Sequence, residues 1–358
     1  MILRDLMRIL GSARRDGRNL NYDEAYRAFE RLCSGEESDV QVGAFLIALR
    51  WKGLSVEELS AFANAARALA TIPCRDMQDL VCVCPPHEGV DTQPPLDVAA
   101  GLVAAGAGVR VLIISDRCVP PKRGLTAASV LEHMGLNMTW DPSEAEDWVA
   151  KTRFAVTSAS GMLPALMSLR RVRGEIGVRT PLSTVEKLIA PENAGILIGA
   201  QRGPVLGMAV EVLQSLGHPR GIAIQGLEGG VIPSVRRRSR GIELTRSHQV
   251  PLSVEPNDFG LGCPQEPELP LFSPPADGYG AGDNAELARA SADATRAILV
   301  GENGPARNAT LLGAALILKA AGRCPTIAEG VSAATESLDS GEPAHILERL
   351  AQLSNPGR

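Results

Sequence analysis

The residues of this sequence best suited to chemistry are two clusters of arginine. The first is the run Arg236-Arg-Arg-Ser-Arg240, and no acidic residue occurs between Gly229 and Ile242. Guanidinium groups hold phosphate oxygens through paired, charge-assisted hydrogen bonds, so a phosphate group is the natural ligand of such a cluster. The competing interpretation is a solvated face or a helix-end charge run. The second cluster comprises Arg170, Arg171, Arg173 and Arg179.

Other reactive side chains give weaker signals. His87 and His133 have no identifiable partner in the sequence, so neither is assigned an acid-base role. Glu228 lies in a Gly-rich turn, where a lone carboxylate is more often solvated than bound to a metal. The seven cysteines show no spacing typical of a disulfide framework or a zinc site. We expect reduced thiols, and the sequence identifies no catalytic residue.

Composition limits the classes of partner. The net charge of -5 argues against a protein that coats nucleic acid through its global charge, although it leaves room for a local basic surface. Aromatic residues make up only 3%, so base stacking is not expected to dominate binding. No apolar run approaches the roughly 20 residues that span a bilayer, and the first residues lack a signal-peptide core. We expect a cytoplasmic protein with no membrane partner.

The first part of the chain has the periodicity of helices. Asn21 precedes one apolar stripe, and Ser38 or Asp39 precedes a second. Ser55 and Glu58 have the spacing of a capping box at the start of a further helix. The pattern predicts a small helical domain over residues 1–75.

From residue 76 the pattern changes to short apolar strands that alternate with Ala-rich helices. Such alternation is typical of a parallel sheet covered by helices. The predicted fold class is therefore α/β: a small N-terminal helical domain and a larger domain, 76–358, with a central, mostly parallel sheet flanked by helices. Residues 264–276 are predicted to form a surface loop. The predicted strands are 80–84, 109–114, 154–157, 194–199 and 221–225.

Several segments resemble the anthranilate phosphoribosyltransferase family, which shares a fold class with the pyrimidine nucleoside phosphorylases. The resemblance implies an active site in the cleft between the two domains, and a homodimer formed through the helical domain. It also implies that part of 161–190 joins the helical domain in space. The segments are 35–53, Val56-Glu-Glu-Leu59, Pro256-Asn-Asp-Phe-Gly-Leu261, Gly282-Asp-Asn-Ala285, Ile298-Leu-Val-Gly301, Arg307-Asn-Ala309 and Leu338-Asp-Ser-Gly341.

The motifs for the family's reaction are altered. The family's Gly-Thr-Gly-Gly-Asp loop brings backbone amides to a pyrophosphate, but the equivalent stretch here begins Cys84-Pro-Pro-His-Glu88. Proline donates no N–H, and Glu88 would repel a phosphate. The family's Asp-Glu pair that holds magnesium falls on Val231 and Ile232, and aliphatic residues cannot ligate a metal. The resemblance thus implies that phosphoribosyl pyrophosphate and magnesium are no longer bound, and no cofactor is expected.

The same losses resemble the YbiB-type branch of the family, whose members are thought to bind nucleic acid as dimers through a basic groove. We therefore predict a non-catalytic homodimer that binds nucleic acid without sequence specificity, through a basic interdomain cleft. The residues predicted to contact nucleic acid or phosphate are Lys122, Arg123, Arg171, Arg173, Arg179, Arg236, Arg237, Arg238 and Arg240.

Two other functions stay open at this point. One is a glycosyl or phosphoribosyl transferase with a rearranged site, acting on an aromatic or nucleobase-like substrate; only then would magnesium be expected. Gly177-Val-Arg-Thr180 matches the family segment whose arginine meets the carboxylate of the aromatic acid, so Arg179 is retained either for a different ligand or for an ion pair on the helix surface. The other is a regulatory dimer without a ligand. The sequence does not distinguish DNA, RNA and a small phosphorylated molecule.

Overall fold

The structure is a computed structural model that describes residues 3–11, 17–201, 205–246, 248–274 and 278–355. Its N-terminal part is a bundle of four helices. Capping boxes begin the second, third and fourth helices at Asn21, Ser38 and Ser55. The sequence predicted the box at Ser55, and it offered Asn21 or Asp23 and Ser38 or Asp39 as the other two caps. The helices are α1 (Leu3–Gly11), α2 (Tyr22–Ser34), α3 (Asp39–Lys52) and α4 (Val56–Leu69).

The larger part is built on a seven-stranded sheet with the strand order β3-β2-β1-β4-β5-β6-β7. Strands β1 to β5 run parallel, whereas β6 and β7 form an antiparallel extension beside β5. The predicted α/β fold class is therefore confirmed. The strands are β1 (Leu80–Cys84), β2 (Arg110–Ile114), β3 (Phe154–Thr157), β4 (Gly195–Gly199), β5 (Arg220–Ile224), β6 (Ser239–Thr245) and β7 (His248–Val254).

Helices cover the sheet on both sides of its central strands. Among them α5 and α14 pack against each other, and almost every residue of α5 is buried. The predicted loop has neither helix nor strand over 264–274, and its last two residues lie outside the described part. The helices are α5 (Asp97–Gly106), α6 (Ala127–His133), α7 (Pro142–Thr152), α8 (Ala159–Met162), α9 (Ala165–Ser168), α10 (Arg170–Ile176), α11 (Leu182–Val185), α12 (Val205–Ser215), α13 (Ala285–Leu299), α14 (Pro305–Ala320), α15 (Ile327–Asp339) and α16 (Glu342–Ser354).

Short helices connect the bundle to the sheet. Helix α9 contacts α2, α10 contacts α3, and both α11 and α12 contact α4. Within 161–190, α9, α10 and α11 make these contacts with the N-terminal helices. The assignment of part of this segment to the helical domain and the domain limits 1–75 and 76–358 stay predictions. Among the helices described, none combines the length and apolar character required to cross a membrane.

The loops that form the candidate site lie where the parallel strands of the sheet end. Because β1, β2, β4 and β5 are parallel, their carboxyl ends lie at the same edge, here called the carboxyl edge. Ligands of open α/β sheets bind in the crevice outside the carboxyl ends of the strands. The outermost strand, β7, is largely exposed and carries Pro251 in its middle.

Candidate functional site

The loops that follow β1 and β2 touch each other at the carboxyl edge. Val90 pairs with Leu125 in an isolated antiparallel bridge. Gly89 has a φ of +81°, and a Cβ at this position would lie 2.4 Å from the carbonyl carbon of Gly124. Only glycine fits this approach without strain. The two loops therefore form one continuous wall of the site.

The carboxylate of Glu228 accepts hydrogen bonds from several donors in this wall. Its carboxylate accepts hydrogen bonds from the backbone N–H of Asp91 at 3.0 Å and of Thr92 at 2.8 Å. It also accepts from Thr92 Oγ1 at 2.6 Å and from Lys122 Nζ at 3.1 Å. Burial raises the pKa of Glu228, but Lys122 and these hydrogen bonds outweigh it and leave the pKa below its ordinary value. We call these donors the anion cradle; an ionised carboxylate of the chain itself occupies it.

A buried ion-pair network lies beneath the loop after β1. Arg173, which is 0% exposed, donates to Glu186 at 2.5 Å and lies 3.3 Å from Glu88. The hydroxyl of Ser183 donates to Glu88 and accepts from Arg173 at 3.1 Å. Charges this deep are stable only when they are paired and hydrogen-bonded. Glu88 is therefore part of the support of the loop.

A histidine and an aspartate join the same network from the ends of β1 and β2. His87 Nε2 lies 3.0 Å from Asp116 Oδ2 and 3.5 Å from Glu186 Oε2. Asp116 also pairs with Arg170 at 2.7 Å and accepts from Ser158 at 2.6 Å. Burial raises the pKa of Asp116, but His87, Arg170 and Ser158 outweigh it and hold the pKa well below its usual range. The expectation that His87 has no partner is therefore wrong, because its partner follows a neighbouring strand.

Lys187 is a further buried cation at the carboxyl edge. Its ammonium nitrogen donates to the carbonyl of Gly199, the last residue of β4, at 2.9 Å. Burial, reinforced by the nearby positive charge of Arg179, lowers the pKa of Lys187 to about 7. The amine is thus fixed on the main chain and is not presented to solvent.

An open cleft of about 1060 Å³ lies beside the ends of β4 and β5. Three exposed arginines, Arg237, Arg238 and Arg240, line it together with Gln201 and Glu228. Among the described residues, neither Arg237 nor Arg240 has a carboxylate within ion-pair distance, while Arg238 lies 3.4 Å from Glu255. The cleft, here called the arginine cleft, is a concentration of unneutralised positive charge.

The lining of the arginine cleft corrects one expectation. Its described lining residues all belong to 200–240, and none comes from the helical bundle. The arginine run begins after the turn at Leu227–Gly229 and ends in β6, which lies beyond β5 in the strand order. The predicted interdomain position is therefore wrong for these arginines: they line a cleft within the larger domain.

The remaining predicted cations are not among the described residues that line this cleft, although Lys122 contacts Glu228, which does line it. Arg173 is enclosed in the buried network, and a ligand contact there would break two ion pairs. The prediction that Arg173 contacts nucleic acid or phosphate is therefore corrected. Arg171 is exposed on α10 and pairs with Asp39 and Glu175. Arg179 is half-buried, and its carbonyl accepts from Arg50. Arg123 lies 3.8 Å from Asp283, and Lys122 is held in the anion cradle. Arg236 is exposed next to the cleft lining.

The residues at the carboxyl edge do not fit a magnesium ion. Val231 and Ile232 are aliphatic and buried, with 1% and 6% exposure. Across the part of the chain that the structure describes, no three His, Cys, Asp or Glu side chains converge in a way that could hold a metal. Glu228, a carboxylate close to this position in the sequence, already accepts from four donors. We derive no step through a metal.

The network residues Asp116, Ser183 and Glu186, and the separate buried cation Lys187, were not identified from the sequence. A signal existed for the pair His87 and Asp116, since both follow strands that turn out to be adjacent and parallel. No comparable signal existed for Glu186, which reaches the network from the short helical turn after α11.

The chain was compared with known proteins. Residues 91–344 match the description "Glycosyl transferase family, a/b domain", and residues 12–70 match "Glycosyl transferase family, helical bundle domain". The anthranilate phosphoribosyltransferase of Methanobrevibacter smithii is 30% identical over 341 residues, which cover 95% of this chain and 97% of that protein. The enzyme of the same name from Methylibium petroleiphilum is 32% identical over 341 residues and 93% of both chains.

Solved structures agree with these matches. Anthranilate phosphoribosyltransferase from Thermus thermophilus superposes with a TM-score of 0.76 at 28% identity and covers 99% of both chains. The Saccharomyces cerevisiae enzyme in complex with PRPP and Mg gives a TM-score of 0.76 at 16% identity, which concerns the fold alone. A helical bundle joined to an α/β domain of this kind defines the two-domain glycosyl transferase class. The chain belongs to the glycosyl transferase family that includes the anthranilate phosphoribosyltransferases.

Proposed function

We propose that this protein binds the phosphate backbone of nucleic acid through the arginine cleft and does not transfer phosphoribosyl groups. The observation that carries the proposal is the contrast between two sets of cations. Arg237 and Arg240 line an open cleft without a carboxylate partner among the described residues. The cations beneath the ends of β1 and β2 are already paired within the chain.

The paired cations make a diphosphate a poor ligand of the carboxyl edge. Lys122 is bound to Glu228, Arg170 to Asp116, and Arg173 to Glu88 and Glu186. A diphosphate would have to displace these carboxylates, and a buried carboxylate left without its cation is costly. The absence of a fitting magnesium ligand set among the described residues adds to the cost, because magnesium normally neutralises diphosphate oxygens.

The chemistry of the arginine cleft favours a nucleic-acid backbone as the ligand. Arginine forks match phosphate oxygens, and the described lining contains no aromatic side chain on which a base would stack. Binding is therefore expected to depend strongly on salt and to show little sequence preference. This assignment agrees with the predicted likeness to the YbiB-type branch.

The first prediction concerns the arginine run. A variant with Arg236, Arg237, Arg238 and Arg240 changed to alanine loses most of its affinity for a short fluorescent single-stranded oligonucleotide. The anisotropy titration is made at about 50 mM and about 200 mM salt, and removing four phosphate contacts reduces the slope of log K against log salt by up to about 3. DNA and RNA oligonucleotides of one sequence are compared.

A matched control removes the same charge elsewhere. Four exposed arginines on other helices and turns, Arg289, Arg296, Arg323 and Arg349, are changed to alanine and leave binding almost unchanged. Equal losses in both variants would show that only net charge matters. If the unmodified protein fails to bind at low salt, the nucleic-acid proposal is wrong.

A second candidate function is a diverged transferase. The specific observation in its favour is the identity of about 30% with anthranilate phosphoribosyltransferases along nearly the whole chain. The test follows the fluorescence of anthranilate in the presence of phosphoribosyl pyrophosphate and magnesium, and a parallel assay replaces anthranilate with nucleobases. Turnover that survives the four-alanine change in the arginine run would assign the transferase activity and separate it from the arginine cleft.

We also propose that two copies of the chain associate through α3. The exposed side of this helix carries Val40, Ala44, Ile47 and Trp51 at helical spacing, and Val40 and Trp51 are 82% and 92% exposed. A continuous apolar stripe of this kind is typical of an interaction surface. A second copy is the occupant that the family resemblance implies.

A further inference from the structure

A second cavity lies at the end of the sheet where the parallel strands begin, opposite the carboxyl edge with its arginine cleft. Its volume is about 420 Å³, and it is enclosed by α4, by the segment that enters β1 and by the segment that enters β4. It lies where the helical bundle meets the sheet, and we call it the junction cavity. The lining residues used below are Asn64, Arg67, Arg75, Asp76, Glu192 and Asn193.

Arg67 is a buried cation without a carboxylate partner among the described residues. Its side chain comes from α4 and is only 6% exposed. It donates to the carbonyls of Leu188 at 3.0 Å and Leu216 at 3.2 Å, and its third partner is the ring of His218. Buried charges are normally paired with an opposite charge at close range, but among the described residues the charge of Glu192 acts on Arg67 only from beyond ion-pair distance.

The ring of His218 does not compete with an anion for this position. Burial, with a contribution from Arg67, lowers the pKa of His218 to about 3, so the ring is neutral at physiological pH. Its Nδ1 lies 3.1 Å from the carbonyl of Ala194 and therefore carries the proton, which leaves Nε2 to accept from Arg67. Since a guanidinium has five N–H donors and three bonds are made here, two donors remain on a side chain that lines the cavity.

The other charges of the junction cavity define what would complement Arg67. Arg75 provides a second positive charge, whereas Asp76 and Glu192 provide two negative ones, and all three are exposed at the rim. A simple anion would meet the carboxylates, and a simple cation would meet the arginines. We propose that the junction cavity binds a small zwitterion of the α-amino-acid type, with its carboxylate on Arg67 and Arg75 and its ammonium group facing Asp76 and Glu192.

Such a ligand would join three segments of the chain. Its carboxylate contacts α4 of the bundle, and its ammonium group contacts the segments that lead into β1 and β4. Binding therefore stabilises the folded protein and fixes the bundle against the sheet. The carboxylate of the bound ligand would act as the close counterion of the buried Arg67 guanidinium.

The test is a thermal-unfolding screen of the full chain with each common L-amino acid at millimolar concentration. At least one amino acid raises the Tm, whereas propionate and a short alkylamine, which carry only one of the two charges, do not. Arg75→Gln, at the exposed rim, weakens binding of that amino acid about tenfold or more in calorimetry. Arg289→Gln, an exposed arginine on α13, is the matched control and leaves the affinity unchanged.

Arg67→Gln provides a second test, because Arg67 is the proposed buried partner of the ligand carboxylate. If the Arg67→Gln variant fails to fold, Glu192→Gln is measured in its place. Glu192→Gln is expected to weaken binding of the amino acid as Arg75→Gln does. The proposal is overturned if no amino acid changes the Tm, if propionate or the alkylamine acts equally, or if the affinity survives both rim changes. The four-alanine variant of the arginine run keeps its amino-acid affinity, which separates this site from the proposed nucleic-acid function.

Discussion

At the scale of single residues, the position of Glu228 shows how a chain can satisfy an anion-binding arrangement with its own side chain. Two backbone N–H groups, one hydroxyl and one ammonium converge on its carboxylate. Glu228 adopts a positive φ of 49°, which is uncommon for a residue with a side chain. The surrounding contacts must therefore offset this backbone cost.

Removal of the Glu228 carboxylate is expected to open the anion cradle. Glu228→Ala leaves the donors of Asp91, Thr92 and Lys122 without their acceptor, and the loss of charge-assisted bonds destabilises the fold by about 1–3 kcal/mol. Added inorganic phosphate then raises the Tm of the variant but not of the unmodified protein. Glu175→Ala, which removes an exposed carboxylate from α10, is the control. An equal response of all three proteins to phosphate would contradict the prediction.

Asp97 provides a test of pH dependence. It is 6% exposed in the first turn of α5, and burial raises its pKa to about 7. Because the folded pKa is above the unfolded one, ionisation favours the unfolded chain, and stability is lost as the pH rises from about 4 to about 7. Asp97→Asn removes this loss, so its advantage in urea unfolding grows over that window by up to about 4 kcal/mol and stays constant above it. A pH-independent difference would exclude this assignment.

The contacts of individual side chains were hard to predict from the sequence. Glu228 was interpreted as a solvated turn residue, yet its partner Thr92 lies 136 positions away. Arg173 was assigned to phosphate because it stands in a run of arginines, but its burial is decided by Glu88 and Glu186. Pairings across such separations depend on strand order, which local spacing does not specify.

At the scale of elements, the buried network ties α10 to the loop after β1. Arg173→Met leaves Glu88 and Glu186 buried without their cation, and we expect a loss of about 3–5 kcal/mol in the free energy of unfolding. Arg171→Met, two positions earlier on the same helix, breaks only exposed ion pairs and costs about 1 kcal/mol or less. Chemical denaturation of both variants measures the difference. Similar losses would show that the network does not support the fold.

Elements with a strong local pattern were predicted well. The bounds predicted for β1 and β3 are those of the structure, because both are short, mainly apolar runs: β1 lies between Asp79 and Pro85, and β3 lies between Arg153 and Ser158. Strands β6 and β7 were missed: Val250, Leu252 and Val254 alternate along β7, but Pro251 in its middle argues against a strand. Helix α16 was also missed, and the exposed residues between its buried positions weaken its stripe.

At the scale of the whole molecule, the proposed association through α3 gives a direct test. Trp51→Glu places a charge in the apolar stripe, and we expect the protein to change from a dimer to a monomer in sedimentation. Trp140→Glu, which alters another exposed tryptophan, leaves the mass unchanged. A monomeric unmodified protein, or a dimer that survives Trp51→Glu, would reject α3 as the contact.

The outermost strand has a consequence for how the protein behaves when concentrated. A free sheet edge presents unpaired N–H and C=O groups that can recruit further strands and begin aggregation. In β7 the ring of Pro251 removes one donor from the middle of the strand. The strand also lies next to β6 alone, at the end of the sheet. An incoming strand would therefore find an interrupted template on β7, which disfavours growth of the sheet at this edge.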